Sequence, residues 1–234
     1  MKPLLAFDAD DTLWHDESHY IQVKERYYDI LNSFASKEKL SEQLNDMERN
    51  NIHIYGYGRK SFSLSMLETA LVISQGALTH AQVQDIYDLG KELCQVSVDL
   101  FPDVMETLHD LSRDYTLALI TKGDLFDQQR KIEASGLKDF FSSIDIVTEK
   151  HAQTYADIIE ERGWQLPHLV MIGNSLKSDI LPTIQLGMQA IHIPFESTWE
   201  LDYCEVPENW QGHFHTVESI AQVPEMVRRM TWPQ

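Results

Sequence analysis

The spacing of hydrophobic residues changes character after the first few positions of the chain. A short apolar run over residues 4–7 ends in acidic residues, which predicts a buried strand that stops at a polar loop. From Tyr20 to about Ser97, apolar residues recur instead every three or four positions, which is typical of amphipathic helices. One of these helices is expected to begin at a capping box formed by Thr79 and Gln82. The first strand is therefore followed by a long, purely helical segment.

A second change of pattern follows residues 101–102, where short apolar runs alternate with helical periodicity. The predicted strands are residues 115–120, 143–147, 169–172 and 189–193, and the predicted helices are residues 102–111, 125–135, 152–162, 177–186 and 217–230. Strands that alternate with helices of about ten residues predict a parallel sheet that is covered on both faces. We therefore expect a Rossmann-like, doubly wound α/β core of residues 1–14 and 98–234, with an all-helical domain of residues 15–97 inserted after its first strand.

The composition indicates a folded and strongly acidic protein. Of the 234 residues, 43% are hydrophobic, which is too many for a disordered chain, and 37 acidic against 19 basic residues give a formal net charge of −18. Such a surface repels phosphate backbones and anionic lipids, so we expect neither a nucleic acid nor a membrane as partner. The apolar runs are too short to span a membrane, residues 1–7 do not resemble a signal peptide, and two cysteines offer no disulfide framework. These features predict a soluble cytoplasmic protein and leave its oligomeric state open.

The carboxyl ends of four predicted strands carry polar residues. They are Asp8, Asp10 and Thr12 after the first strand, Thr121 and Lys122 after the second, Glu149 and Lys150 after the third, and Asn174 and Asp179 after the fourth. Ligands of parallel sheets bind at this edge, so we expect these side chains to converge. Carboxylates that lie close together repel each other, which favours a hard cation among them. A cation, a hydroxyl and a lysine together suit a bound phosphoryl group.

The residues at these strand ends resemble the motifs of the haloacid dehalogenase-like hydrolase superfamily. Residues 8–12, Asp-Ala-Asp-Asp-Thr, match its first motif, D-x-D-x-T. Thr121, Lys150 and residues 173–179 match its second, third and fourth motifs, in order and at strand ends. The helical insert directly after the first motif resembles the helical cap of the phosphatase-rich branch. The resemblance covers essentially the whole chain and depends on the complete set, since each motif alone is weak.

The resemblance implies a Mg²⁺-dependent phosphatase that acts on a small phosphorylated metabolite. Asp8 is then the nucleophile that forms an aspartyl-phosphate, and Asp10 is the general acid and base. The magnesium is implied to bind Asp8, the backbone carbonyl of Asp10 and the loop after the fourth strand. The expected metal ligands are thus Asp8, Asp10, Asn174 and Asp179, and the expected phosphate-binding residues are Thr121, Lys122 and Lys150.

The chain departs from the family pattern at three positions. Asn174 stands where the fourth motif commonly has an acid, Asp11 where glycine is usual, and His151 where proline often follows the lysine. The amide oxygen of Asn174 can bind Mg²⁺ but contributes no charge, so Asp179 has to supply more of the negative field. The loop of the first motif must also accommodate the side chain of Asp11.

Several alternatives stay open at this stage. In the helical insert, Arg59 follows a Tyr-Gly-Tyr-Gly stretch and is expected to bind the anionic or polar end of the substrate, with Tyr57 stacking beside it; a solvated loop is the alternative. The presence of Asp10 disfavours haloacid dehalogenation and phosphonate cleavage. A phosphomutase or a nucleotidase of the same superfamily is compatible with the motifs. Asn174 also leaves open a regulatory or phospho-ligand-binding protein with weak turnover.

Overall fold

The computed structural model describes residues 2–196 and 203–232, and these form two compact units. The first unit comprises the chain up to Glu17, Val98–Lys122 and the chain from Gln128 onwards, and the second comprises Ser18–Ser97 and Gly123–Asp127. Residues 123–127 therefore belong with the helical segment, whereas the hydrophobic pattern assigned them to the α/β core. Ion pairs that join this short segment to residues of the helical unit give the physical reason.

The helical unit contains the first four helices of the chain. They are α1 (Glu17–Leu31), α2 (Lys37–Tyr55), α3 (Arg59–Ser74) and α4 (His80–Gln95). The predicted capping box is present at the start of α4, because Thr79 N donates to Gln82 Oε1 at 3.0 Å and Gln82 N donates to Thr79 Oγ1 at 3.2 Å. The unit has its own apolar core, in which the buried Tyr27 hydroxyl donates to Met66 O at 2.9 Å.

The α/β unit is built on a parallel sheet, as predicted, and of its six strands the last was not among those predicted. Its strands are β1 (Leu4–Phe7), β2 (Thr116–Lys122), β3 (Ser143–Val147), β4 (Leu169–Gly173), β5 (Gln189–His192) and β6 (His215–Thr216). Their order across the sheet is β3-β2-β1-β4-β5-β6, and every described pair is parallel. Phe7 pairs with Leu119 of β2 on one side and Ile172 of β4 on the other, so the carboxyl ends of these three strands are neighbours.

Helices cover both faces of this sheet. They are α5 (Val104–Leu111), α6 (Leu125–Ser135), α7 (Ala152–Arg162), α8 (Leu181–Gln185) and α9 (Val223–Arg229). Because side chains alternate along a strand, Leu5 and Phe7 pack in the core formed with α5 and α9, whereas Leu4 and Ala6 pack in the core formed with α7. This two-sided burial explains why β1 is a continuous apolar run. In the described part of the chain, no helix has both the length and the hydrophobicity that crossing a membrane requires.

Several element boundaries differ from the predicted ones. Strand β2 extends to Lys122, so Thr121 lies within the strand rather than after it. The helix predicted from Pro102 begins at Val104, after Asp103 in a left-handed conformation. The helix predicted over residues 177–186 is a π-helical segment, Leu176–Ile180, that continues into α8. Near the end of the chain, a single 3₁₀ turn precedes the short α9 where one longer helix was expected.

Candidate active site

The first motif begins where β1 ends, at the middle of the sheet edge. Asp8 N donates to Ile172 O at 2.9 Å, which continues the hydrogen-bond ladder one residue beyond β1. The chain then turns tightly, and Leu13 N donates to Ala9 O at 2.8 Å. This turn presents the side chains of Asp8 and Asp10 at the carboxyl end of the sheet, where ligands of parallel sheets bind.

A buried lysine links two of the expected site carboxylates. Lys150 Nζ lies 2.5 Å from Asp8 Oδ1 and 2.7 Å from Asp179 Oδ1, and the lysine side chain is only 2% exposed. Burial and the nearby charge of Asp179 raise the pKa of Asp8 to about 7, although Lys150 opposes this shift. Burial lowers the pKa of Lys150, but Asp179 and Asp8 together outweigh it and raise that pKa well above its usual value. The lysine is therefore a permanent cation between two carboxylates.

Thr12 connects the first motif to the fourth. Its hydroxyl oxygen lies 3.0 Å from Asp8 Oδ2 and 3.1 Å from Asn174 Oδ1, and it accepts a hydrogen bond from Asn174 N at 3.1 Å. One hydroxyl group carries one proton, so it can donate fully to only one of the two side-chain oxygens. The arrangement brings two oxygen acceptors from different strands close together and leaves lone pairs on both.

Asp179 approaches the backbone of β4 so closely that only glycine fits there. A Cβ atom at Gly173 would lie 2.4 Å from Asp179 Oδ2, the oxygen that also accepts a hydrogen bond from Ser175 N at 3.0 Å. The π-helical segment after Ser175 turns Asp179 back beneath the strand end. Gly173 is therefore the residue that makes room for a carboxylate at the site.

The second motif contributes a buried hydroxyl and an amine from β2. Thr121 is 1% exposed, and its Oγ1 has no hydrogen-bond partner among the described residues, so it can donate to an oxygen of a bound ligand. Lys122 Nζ is 3.3 Å from Ser178 Oγ and 3.7 Å from Glu149 Oε1. The ammonium group of Lys122 thus lies beside the fourth-motif loop.

The carboxylate of Asp10 points to residues that the sequence did not suggest. Lys131 Nζ donates to its two oxygens at 2.6 and 2.7 Å, Gln128 Nε2 donates at 2.7 Å, and Trp14 Nε1 donates at 2.6 Å. Burial raises the pKa of Asp10, but the charge of Lys131 and these hydrogen bonds outweigh burial and lower the pKa overall. Gln128 and Lys131 are one turn apart on α6. In the sequence, Gln128 and Lys131 stand out only as polar residues of a predicted helix. The orientation of α6 is needed to see that they face Asp10.

Asp11 adopts the backbone conformation for which the family's usual glycine is suited. Its φ angle is +58°, in the left-handed region that aspartate tolerates better than most residues. Its carboxylate accepts hydrogen bonds from Asp16 N at 2.9 Å and Glu17 N at 3.1 Å, and so caps the start of α1. Burial and the neighbouring charge of Asp16 raise the pKa of Asp11 to about 8. The extra side chain is thus accommodated as a helix cap.

Arg59 is deeply buried within the helical unit. It is the first residue of α3 and 2% exposed, its Nη1 donates to Leu93 O at 3.0 Å, and its Nε lies 3.7 Å from Asp127 Oδ2. The neighbouring Lys60 pairs with Asp124 at 2.8 Å, which accounts for the assignment of residues 123–127 to this unit. The solvated loop considered as an alternative does not form at Arg59. A contact between Arg59 and a substrate stays a prediction that these internal partners do not favour.

Comparison with known proteins identifies the family. The family model of the haloacid dehalogenase-like hydrolases matches residues 3–187, well over half of the chain. The chain belongs to the haloacid dehalogenase-like hydrolases. A haloacid dehalogenase-like family hydrolase from Xanthomonas campestris has a similar structure, with a TM-score of 0.85 and 36% sequence identity over 97% of this chain and 91% of that one.

Two curated relatives of this hydrolase carry phosphatase names. The N-acylneuraminate-9-phosphatase of Homo sapiens is 28% identical over 159 residues, which are 65% of this chain and 62% of that protein. The glyceraldehyde 3-phosphate phosphatase of Methanothermobacter thermautotrophicus is 29% identical over 133 residues, 54% of this chain and 58% of that protein. The chain thus spans less than two thirds of the length of either relative.

The residues present in this hydrolase fit a hard divalent cation. Among residues 2–196 and 203–232, no group of three or more His, Cys, Asp or Glu side chains is arranged to hold a metal ion. The expected ligands, however, include the amide oxygen of Asn174 and the backbone carbonyl of Asp10, which lie outside that set of side chains. All the expected donors are oxygens, as Mg²⁺ prefers. The two buried carboxylates of Asp8 and Asp179 also exceed the single charge of Lys150, which favours an added cation.

Proposed function

We propose that this hydrolase is a Mg²⁺-dependent phosphatase that acts on a small phosphorylated metabolite through an aspartyl-phosphate on Asp8. The observation that supports this most is the buried ammonium ion of Lys150 at 2.5 Å from Asp8, together with the buried Thr121 hydroxyl on the neighbouring strand β2, which has no hydrogen-bond partner among the described residues. A carboxylate nucleophile, a fixed cation and a free hydrogen-bond donor are the groups that phosphoryl transfer requires. The phosphatase names of the two curated relatives agree with this chemistry.

In the first half of the proposed reaction, a carboxylate oxygen of Asp8 attacks phosphorus. The new bond joins Asp8 to phosphorus while the ester oxygen leaves and takes a proton from Asp10, which has to enter this step in its protonated form. Lys150 and Thr121 bind the phosphoryl oxygens as negative charge develops on them. In the second half, Asp10 removes a proton from water, which attacks phosphorus and releases phosphate and the carboxylate of Asp8.

Magnesium is proposed to bind Asp8, Asn174, Asp179 and the backbone carbonyl of Asp10. When bound, it supplies positive charge that reduces the repulsion between the attacking carboxylate and the phosphate. Lys122, the last residue of β2, adds a further cation for the phosphoryl group. The helical segment is proposed to be the cap that selects the leaving group, and the protein is proposed to act in the cytoplasm.

Hydrolysis of p-nitrophenyl phosphate tests the proposal directly. Turnover is expected with Mg²⁺, is expected to stop with excess EDTA, and is expected to be absent in Asp8→Asn, which keeps the size of the side chain but removes the nucleophile. A matched control is Asp46→Asn, an exposed carboxylate of the helical unit that pairs with Arg49 at 2.9 Å. Turnover in Asp8→Asn equal to that of the wild type would contradict the assignment.

A second candidate function rests on Asn174. If the missing charge weakens metal binding, the protein holds a phosphorylated ligand without consuming it. Calorimetry with inorganic phosphate in Mg²⁺, combined with the p-nitrophenyl phosphate assay, separates the two functions, because a binding protein shows affinity for phosphate but no turnover of the ester. For a phosphatase, the names of the relatives place N-acylneuraminate 9-phosphate and glyceraldehyde 3-phosphate first in a substrate panel.

A further inference from the structure

The carboxylate of Asp10 is held by three side chains at once. Lys131 spans both oxygens, Trp14 donates to Oδ1, and Gln128 donates to Oδ2, all at 2.6 to 2.7 Å. The Asp10 side chain is 23% exposed, so water could solvate it, yet four protein hydrogen bonds reach its two oxygens. Such a set of donors permits one orientation of the carboxylate and opposes rotation of the side chain.

The lysine in this group is placed at considerable energetic cost. The Lys131 side chain is 3% exposed, and burying an ammonium ion costs several kcal/mol unless partners compensate. Its compensation comes from Asp10 at 2.6 Å and, at 3.4 Å, from Asp16. An apolar residue at this position of α6 would pack without that requirement. Packing of α6 therefore does not by itself explain a charged residue at this position.

Gln128 ties the same carboxylate to the sheet. Its Nε2 donates to Asp10 Oδ2 and to Lys122 O, both at 2.7 Å. Lys122 is the last residue of β2 and follows Thr121, whose hydroxyl has no hydrogen-bond partner in the described part of the chain. The orientation of Asp10 is thus fixed relative to the strand that carries a proposed phosphate-binding residue.

We propose that Lys131, supported by Gln128, is a positioning residue that orients the Asp10 carboxylate for proton transfer; this rests on the phosphatase function proposed above. A general acid or base must lie within hydrogen-bond reach of the atom it serves, and small displacements of such groups reduce rates strongly. Lys131 touches neither substrate nor nucleophile in this proposal. Its effect on the reaction passes entirely through Asp10.

The test compares two substrates that differ mainly in how much the departure of the leaving group depends on its protonation. The leaving group of phenyl phosphate is phenolate, whose conjugate acid has a pKa of about 10, like tyrosine, so its departure is helped by a proton. The leaving group of p-nitrophenyl phosphate is far less basic and departs without a proton. For Lys131→Met, we expect the loss of kcat/KM, which reports the first half of the reaction, to be about tenfold larger on phenyl phosphate than on p-nitrophenyl phosphate, as is also expected for Asp10→Asn. Lys131→Arg, which restores the charge and the donors, is expected to recover most of the difference.

An exposed lysine provides the matched control for this comparison. Lys138→Met removes a lysine near α6 that is 58% exposed and lies 3.5 Å from Glu133, and it should leave both rates unchanged. Equal losses on both substrates, or no loss, would overturn the positioning role of Lys131. If Lys131→Met fails to fold, Gln128→Leu is compared on the same two substrates. A smaller difference in the same direction is then expected. Equal losses on the two substrates would overturn the proposal. Failure of the phosphatase function is recognised separately, since the wild type would then lack Asp8-dependent turnover of either substrate.

Discussion

Replacing Lys150 with methionine tests how strongly the buried charges of the site depend on each other. Methionine keeps the length of the side chain and removes the ammonium ion that lies 2.5 Å from Asp8 and 2.7 Å from Asp179. The side chains of all three residues are at most 9% exposed, so water cannot replace the lost partner. The variant leaves two buried carboxylates without the cation that lies between them.

The expected cost follows from this geometry. Removing one partner of a buried ion pair destabilises a protein by about 3–5 kcal/mol. The pKa of Asp8 is already about 7, above its usual value of 3.8, and loss of Lys150 raises it further. A group whose pKa is raised on folding stabilises the folded state at low pH and loses that contribution as the pH rises through the folded-state pKa. We therefore expect Lys150→Met to cost about 3 kcal/mol at pH 6, where Asp8 takes up a proton, and about 5 kcal/mol at pH 8.

Urea unfolding in EDTA, followed by tryptophan fluorescence, measures this difference in the free energy of unfolding. The four tryptophans in the described part of the chain, Trp14, Trp164, Trp210 and Trp232, belong to the α/β unit, so their signal reports that unit. The matched control is Lys138→Met, an exposed lysine whose removal should change the free energy by less than about 0.5 kcal/mol. In an Asp8→Asn background, Lys150→Met should cost less, because one of the two carboxylates is gone. A cost under about 1 kcal/mol at pH 8, or an equal cost in both backgrounds, would refute the reasoning.

Three further predictions concern residues of the same unit. Asn174→Asp should lower the Mg²⁺ concentration for half-maximal hydrolysis of p-nitrophenyl phosphate by about tenfold, because it adds a charged ligand; an unchanged dependence would exclude residue 174 as a ligand. Gly173→Ala should lower the free energy of unfolding, measured in urea, by about 1–3 kcal/mol and should lower turnover, because the new Cβ would lie 2.4 Å from Asp179 Oδ2. Stability equal to that of the wild type would show that the loop carrying Asp179 can move aside without cost. Asp11→Asn keeps a side-chain oxygen that can cap α1. It removes the carboxyl group, whose folded-state pKa is about 8. The wild type loses about 1.4 kcal/mol of stability per pH unit as the pH rises towards 8, so the variant should become more stable relative to it by about 2–3 kcal/mol between pH 6 and pH 9. A constant difference would contradict the raised pKa.

Much of the fold could be predicted from local patterns. The apolar run of β1 and the alternation of strands and helices after residue 101 predicted a parallel sheet, because burial on both faces leaves a periodicity that single segments carry. The same logic located Asp8, Thr121, Lys150 and Asp179, since the end of a strand in a parallel sheet also fixes which edge a residue occupies. Boundaries were less accurate where tertiary contacts decide them, as in the π-helical segment before α8.

The sequence by itself determined the order of the elements and the residues that reach the carboxyl edge of the sheet. Only the tertiary structure decided which partners those residues have. Lys131 meets Asp10 across 121 positions of the chain, and Lys150 meets Asp8 across 142. Arg59 was expected at a substrate, and the partner that its Nη1 has inside the helical unit, Leu93 O, could not be foreseen from the sequence. Periodicity describes one element at a time, whereas an ion pair between elements depends on how their helices and strands are oriented when they pack, and that orientation leaves no local signal.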